Sequence, residues 1–366
     1  MSSVIPTPKS GILEITPYVG GKAKGTGGAK VVKLSSNETP LGASPMARAT
    51  LKDMADKLHL YPDGGSSELI EAIADIHSLA QEDLICGNGS DEILSLVTNA
   101  YAGPGDEVLF SQHGFLVYEL AALANGATPV KAPEKNLTTD VDAMLAAVTE
   151  KTKIVFLANP NNPTGTYIPF SEVERLHAGL RSDILLVLDA AYAEYVRKAD
   201  YEAGVSLVAK SNNVLMTRTF SKIYGLSALR IGWAYGPKDV IDVLHRIRGP
   251  FNINAVAQVA ALEAVKDQDF VEKAREHNDK WLPILTQSFR GMGLKVTDSV
   301  GNFLLLDFAE TGKSSKEAEA FLSERGLVLR DVASYGLDTC LRMSIGLDDD
   351  NHAVMDALRE FLEQGK

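Results

Sequence analysis

The chain has 366 residues, 45% hydrophobic and 23% charged, an ordinary balance for a globular protein with one large domain or two. A net charge of −12 argues against nucleic acid or an anionic membrane surface as the main partner, yet leaves room for a small anion held by local arginines. Two distant cysteines, Cys86 and Cys340, exclude a disulfide framework or a CxxC metal site, and the seven histidines show no metal-binding spacing, so a reducing cytoplasm and a non-metal cofactor are expected.

In chain order, residues 1–11 lack a cationic stretch followed by a long apolar run, so no signal peptide is expected. No apolar run approaches the length of about 18 residues that a membrane-crossing helix needs. Gly20–Lys30, rich in glycine and lysine, reads as a surface loop, with no GxxxxGK[ST] pattern for phosphate. From residue 66 helical and extended patterns alternate. Helices are predicted at Ser66–Leu79, Asp91–Ala100, Phe115–Ala124, Asp140–Val148 and Phe170–Leu180. Strands are predicted at Ile85–Asn88, Glu107–Phe110, Lys153–Ala158, Ile184–Leu188 and Val214–Thr217. Short apolar strands separated by helices predict an α/β fold with a mostly parallel sheet. After Gly249-Pro250 the pattern changes to long helices at Ala255–Lys266 and Phe270–Arg290. Strands at Phe303–Phe308, Leu327–Arg330 and Leu341–Ile345 then interleave with helices at Lys316–Arg325 and Asn351–Glu363, which predicts a smaller α+β unit.

Five stretches carry chemistry. Gly87-Asn88-Gly89-Ser90-Asp91 opens a helix, where glycines admit an anion to free N–H groups; Ser90 or Asp91 as a plain helix cap is the alternative. Phe115 follows a strand and suits stacking on a flat ring or a place in the core, and His113 reads as a local hydrogen-bonding residue. Asn159-Pro160-Asn161-Asn162-Pro163-Thr164-Gly165 follows a buried strand, where α/β sheets collect ligands; it is also rich in turn residues. Asp189 ends an apolar strand, and a buried carboxylate asks for a cationic partner such as a protonated pyridine, unless it caps a helix. Tyr192 stands three residues on, within reach of the same ring. Finally, Thr219-Phe220-Ser221-Lys222 and Arg230 combine a lysine able to form a Schiff base with hydroxyls and a guanidinium suited to phosphate.

Taken together, these runs resemble the fold type I pyridoxal-phosphate aminotransferases, and among them the histidinol-phosphate aminotransferase family. Asn162-Pro163-Thr164-Gly165 and Thr219-Phe220-Ser221-Lys222 mark the superfamily. Tyr61-Pro62-Asp63, Val328-Leu329-Arg330-Asp331 and Cys340-Leu341-Arg342 mark the subgroup. The resemblance implies a large domain over 41–250, a small C-terminal domain over 251–366, and an arm over 1–40 packing with the small domain or a partner subunit. It also implies pyridoxal 5′-phosphate as a Schiff base on Lys222, with Asp189 on the ring nitrogen, Asn162 and Tyr192 on O3′, and Phe115 on the ring face. Ser90, Asp91, Thr219, Ser221 and Arg230 would surround the phosphate, and Tyr61 would reach the phosphate in the neighbouring subunit of a homodimer. Arg342 matches an arginine that grips α-carboxylates, Arg330 one that helps bind a substrate phosphate, and Tyr18 and Asn37 residues near that end of the substrate.

The implied reaction converts L-histidinol phosphate and 2-oxoglutarate to imidazole acetol phosphate and L-glutamate. The chain departs from the family pattern at Ala228, where glycine is common, but the spacing from Lys222 to Arg230 is kept and no loss of cofactor is expected. His113-Gly114-Phe115-Leu116-Val117-Tyr118 fits only part of the family, some of whose members take aromatic amino acids. An aromatic-amino-acid aminotransferase is therefore the alternative, followed by a pyridoxal-phosphate lyase or decarboxylase. A transcriptional regulator would need a DNA-binding module ahead of the first motif, where some 30 residues are too few. A nicotinamide dehydrogenase would need a GxGxxG fingerprint, which is missing.

Overall fold

The computed structural model describes residues 7–22, 24–26 and 30–364. Residues 23 and 27–29 of the expected Gly/Lys loop, and residues 1–6 of the expected arm, lie outside the described residues. The described chain begins with β1 (Val32–Lys33), α1 (Pro45–Met54) and α2 (Ser67–His77). Next come β2 (Leu84–Gly87), α3 (Ser90–Tyr101), β3 (Glu107–Ser111), α4 (Val117–Ala124) and β4 (Thr128–Ala132). A hairpin of β5 (Glu134–Lys135) and β6 (Thr138–Thr139) leads to α5 (Val141–Ala146), β7 (Thr152–Ala158), α6 (Phe170–Gly179) and β8 (Leu185–Asp189). Then α7 (Val205–Val208), β9 (Val214–Thr219), β10 (Gly232–Tyr235) and α8 (Lys238–Ile247) follow. The remainder is α9 (Ala255–Lys266), α10 (Gln268–Gly291), β11 (Lys295–Val296), β12 (Phe303–Asp307), α11 (Ser315–Glu324), β13 (Leu327–Val328), β14 (Arg330–Asp331), β15 (Cys340–Ser344) and α12 (Asp348–Glu363).

The main sheet has seven strands in the order β2-β10-β9-β8-β7-β3-β4. Only β10 is antiparallel to its neighbours. Strands β8 and β9 are buried along their whole length, as a sheet covered on both faces requires. Alternate residues of β7 serve opposite faces: Val155 and Leu157 join the core under α2, α6 and α9, while Ile154 and Phe156 join the core under α3, α4 and α8. The second sheet, β11-β12-β15-β14, is antiparallel and packs with α10, α11 and α12 around Trp281, Leu304, Leu341, Met343 and Leu358. The α/β fold with a mostly parallel sheet and a smaller α+β unit is therefore as expected. No helix among the described residues is long and apolar enough to cross a membrane.

Several expected elements need correction. The helix expected from Phe115 starts at Val117, because the chain leaves β3 through a turn at Gln112-His113, closed by the Gly114 N–H on the Ser111 carbonyl, and Phe115 lies between that turn and the helix. The strand expected over Leu327–Arg330 is two pieces: β13 pairs with β1 and β14 pairs with β15, so the chain changes sheets at Leu329. Helices α1 and α8 and strands β4 and β10 were not expected. Ser44 caps α1 by accepting from the Ala47 N–H, with Pro45 at the first helical position.

Candidate active site

Strands β2, β3, β7, β8 and β9 all run in one direction, and their carboxyl ends open on one edge of the sheet. Each delivers one expected group: Ser90 and Asp91 after β2, Phe115 after β3, Asn162 after β7, Asp189 and Tyr192 at the end of β8, and Thr219, Ser221 and Lys222 at the end of β9. Together with Tyr18, Asn37, Arg230 and Arg342 they line a single cavity of about 240 Å³. Two expected residues lie outside it. Tyr61 is 83% exposed and stacks on Phe251 at 4.7 Å. Arg330 lines an adjoining cavity of about 480 Å³, which shares Tyr18 with the first.

Burial dominates the electrostatics at Asp189. Desolvation pushes its carboxyl up to about 6, against the pull of a hydrogen bond from the Tyr118 hydroxyl at 2.7 Å to Oδ2. Its Oδ1 is buried without a hydrogen-bond partner among the described residues. Asp189 is not a helix cap, since the short turn at Ala193–Tyr195 is capped by Tyr192. The Tyr192 hydroxyl accepts from Asn37 Nδ2 at 2.8 Å, and its ring lies 5.5 Å from Lys222 Nζ. Lys222 Nζ donates to the Ser36 carbonyl at 3.2 Å.

Opposite lies a cup of donors. The N-cap of α3 is Gly89, and among the described residues no side chain caps the helix, so its N-terminus, where Ser90 and Asp91 line the cavity, is left open to an anion. Arg230 closes the cup: one terminal nitrogen donates to Ser221 Oγ (3.1 Å) and the Ser227 carbonyl (3.0 Å), the other to Asp91 Oδ2 (3.1 Å). A Cβ on Gly89, at φ +80°, would stand 2.4 Å from the Arg230 guanidinium, so the guanidinium occupies space that only glycine leaves open. Ala228 sits in a 3-10 turn with no positive φ; the left-handed conformation falls on Arg230 itself, at φ 54°. A glycine is therefore not needed at 228.

Arg342 reaches the cavity from β15. It donates to Asn162 Oδ1 and, at 2.8 Å, to the Ser35 carbonyl, while its Nε is buried with no partner among the described residues. Asn161, rather than Asn162, secures the local turn, through the His113 carbonyl (3.1 Å) and Thr164 (3.0 Å). His113 is itself held by Glu134 at 2.8 Å. Sequence reasoning missed Tyr118 and the Ser35 and Ser36 carbonyls. A buried tyrosine in an apolar helix reads as core, and backbone acceptors have no residue signature.

These residues fit a phosphorylated pyridine aldehyde. A lysine shares one cavity with a buried carboxylate oxygen that has no partner among the described residues, suited to a ring N–H, and with a cup of hydroxyl, guanidinium and helix N–H donors, suited to phosphate. The chain belongs to the aminotransferase class I and II family, whose family model matches residues 29–358. Its cofactor is pyridoxal phosphate. Histidinol-phosphate aminotransferases of Rhodopseudomonas palustris are similar along nearly the whole chain. That of strain TIE-1 is 57% identical over 361 residues, 98% of this chain and 99% of the relative, and that of strain HaA2 is 56% identical over 359 residues, 98% of each. Among solved structures, the histidinol-phosphate aminotransferase of Sinorhizobium meliloti in complex with pyridoxal-5′-phosphate superposes with a TM-score of 0.86 at 26% identity, covering 99% of this chain and 98% of that one. Aspartate aminotransferase of Thermus thermophilus with maleate (TM-score 0.81, 23% identity, 91% and 92% covered) shares the fold.

Proposed function

We propose that this chain transfers the amino group of L-histidinol phosphate to 2-oxoglutarate, giving imidazole acetol phosphate and L-glutamate in histidine biosynthesis. The observation that carries the reading is Lys222 set between the Asp189 carboxylate and the Arg230 cup, with two buried arginines on neighbouring strands beyond it. Identity of 57% over the whole length to proteins of that name supports the substrate.

Pyridoxal phosphate, when bound, supplies an aldehyde that takes the substrate amine and a ring that withdraws electrons from its Cα. Asp189 would pair with the ring nitrogen, Asn162 and Tyr192 with the ring oxygen, and Phe115 with the ring face. Ser90, Asp91, Thr219, Ser221 and Arg230 would hold the phosphate. Lys222 Nζ would take the proton from the substrate Cα and pass it to the cofactor's C4′ carbon, and move a proton the opposite way in the second half-reaction. Arg342, with its Nε free, suits a carboxylate or phosphate oxygen, and Arg330, with Tyr18 and Asn37, would bind the phosphate end of the donor.

The exposed ring of Tyr61 supports a homodimer with shared sites, in which Tyr61 serves the partner's cofactor phosphate. Two separate sheets support a large unit followed by a small one, with α9 packed into the core of the large sheet although it follows residue 250, and with β1 of the arm paired to the small unit. Two free, buried thiols suit a cytoplasmic setting.

The test follows single-turnover loss of the cofactor's visible absorbance with histidinol phosphate and with phenylalanine, in wild type and in Arg330→Ala. The expected result is a strong preference for histidinol phosphate in wild type, lost on the order of 100-fold in Arg330→Ala, with phenylalanine little changed. Equal rates with both amines in wild type would replace this reading with an aromatic-amino-acid aminotransferase.

A further inference from the structure

Tyr118 is fully buried on α4 and does not line the cavity, yet it touches two groups that do. Its hydroxyl donates to Asp189 Oδ2 at 2.7 Å. Its ring meets Phe115 edge to face, with centroids 6.0 Å apart and planes at 89°. The ring is itself fixed, stacked on Phe156 at 4.5 Å and 6° and met at its edge by Phe110 at 5.8 Å. Phenylalanine would pack there as well. A buried hydroxyl is costly unless bonded, and among the described residues this one bonds Asp189 alone.

The geometry points to Tyr118 as a positioning residue for the transamination: it pins one oxygen of Asp189, so that the other is aimed at the ring nitrogen, and it braces Phe115 against the ring face. One α4 residue thereby sets both the in-plane and the face contacts of the cofactor ring. The inference rests on the proposed pairing of Asp189 with that nitrogen. Without the hydroxyl, the carboxylate keeps only its backbone contact with Ala191, is less firmly oriented and is harder to keep ionised. The ionisable groups acting on Asp189 and Tyr118 are Asp91 from α3, Lys222 beyond β9, Tyr192 beyond β8, Tyr201, and Tyr335 from the small unit. Among the described residues none of these hydrogen-bonds the carboxylate; the side-chain bond to it comes from Tyr118.

Three variants, Tyr118→Phe, Asp189→Asn and the double variant, test this. For each, cofactor affinity of the apo-protein is measured against pH, together with kcat and KM of the holoenzyme. Tyr118→Phe is expected to fold as wild type and to bind the cofactor roughly tenfold more weakly. Its loss of affinity on acidification should begin at higher pH, and kcat should fall with KM for the amino donor unchanged. In the Asp189→Asn background the same change should add little, because its target is gone. Equal effects of Tyr118→Phe in both backgrounds, or an unchanged pH profile and affinity in the single variant, would overturn the inference. If Asp189→Asn itself leaves affinity and kcat intact, the failure lies with the pairing of Asp189 instead.

Discussion

Arg330 and Arg342 are register partners across the antiparallel strands β14 and β15, so two guanidinium groups leave one face of the sheet side by side. Both are more than nine-tenths buried. Burial, and to a lesser degree Arg330, pull the pKa of Arg342 down from its usual value. Each is held by a carbonyl of the N-terminal segment, Arg342 by Ser35 at 2.8 Å and Arg330 by Val19 at 2.7 Å. An anion between them would relieve the repulsion. Arg342→Lys keeps a charge but loses the planar fork. It is expected to lower kcat/KM for glutamate on the order of 100-fold without loss of fold, as steady-state kinetics and circular dichroism would check.

Asp189 illustrates a site that weakens its own scaffold. Its folded pKa, about 6, lies above the unfolded 3.8, so folding favours the protonated form. The apo-protein should therefore be relatively favoured at low pH by this group and should lose that contribution as pH rises from about 4 through 6, with a penalty of about 3 kcal/mol above that window. Asp189→Asn removes the ionisable group. Denaturant melts of apo-protein at pH 8 should find the variant at least as stable as wild type, although it binds the cofactor poorly.

Gly89 and Gly103 make a matched pair. A Cβ at Gly89 meets the Arg230 guanidinium at 2.4 Å and requires φ +80°, whereas nothing lies within 4 Å of a Cβ at Gly103. Gly89→Ala is expected to displace Arg230 and weaken cofactor binding at least tenfold by equilibrium titration. Gly103→Ala should titrate as wild type.

The proposed sharing of sites between subunits can be tested by complementation. Lys222→Ala and Tyr61→Ala are each expected to be impaired, the first to background. Mixed dimers refolded from the two contain one site with both residues intact if Tyr61 serves the partner, and none if it serves its own subunit. Recovery of activity on mixing, measured against each variant alone, is the expected outcome.

What the sequence made legible follows from its physics. Asn162, Asp189 and Lys222 stood out because each follows a buried apolar strand, and parallel strands aim their carboxyl ends at one edge. Strand β10 stayed hidden because Gly232-Trp233-Ala234-Tyr235 is a short apolar run, and no pattern in it signals its antiparallel direction. Helix α1 was missed because its face against α9 buries only Ala47 and Met54. Tyr118 carries no legible role in the sequence, since a single hydroxyl among Val117-Tyr118-Glu119-Leu120 says nothing of a partner 71 positions away.

The pairing of β1 with β13 has a consequence for biosynthesis. Ser35 and Ser36, just past β1, supply the carbonyls that hold Arg342 and Lys222, and Asn37 holds Tyr192. A nascent chain has long since released these residues from the ribosome when Leu327 and Val328 arrive to pair with Val32 and Lys33. Until then Lys222 exists, but the segment that steadies it has no β13 to pair with. Completion of the site is thus among the last events of synthesis, and a polypeptide released before residue 327 would carry Lys222 without that support.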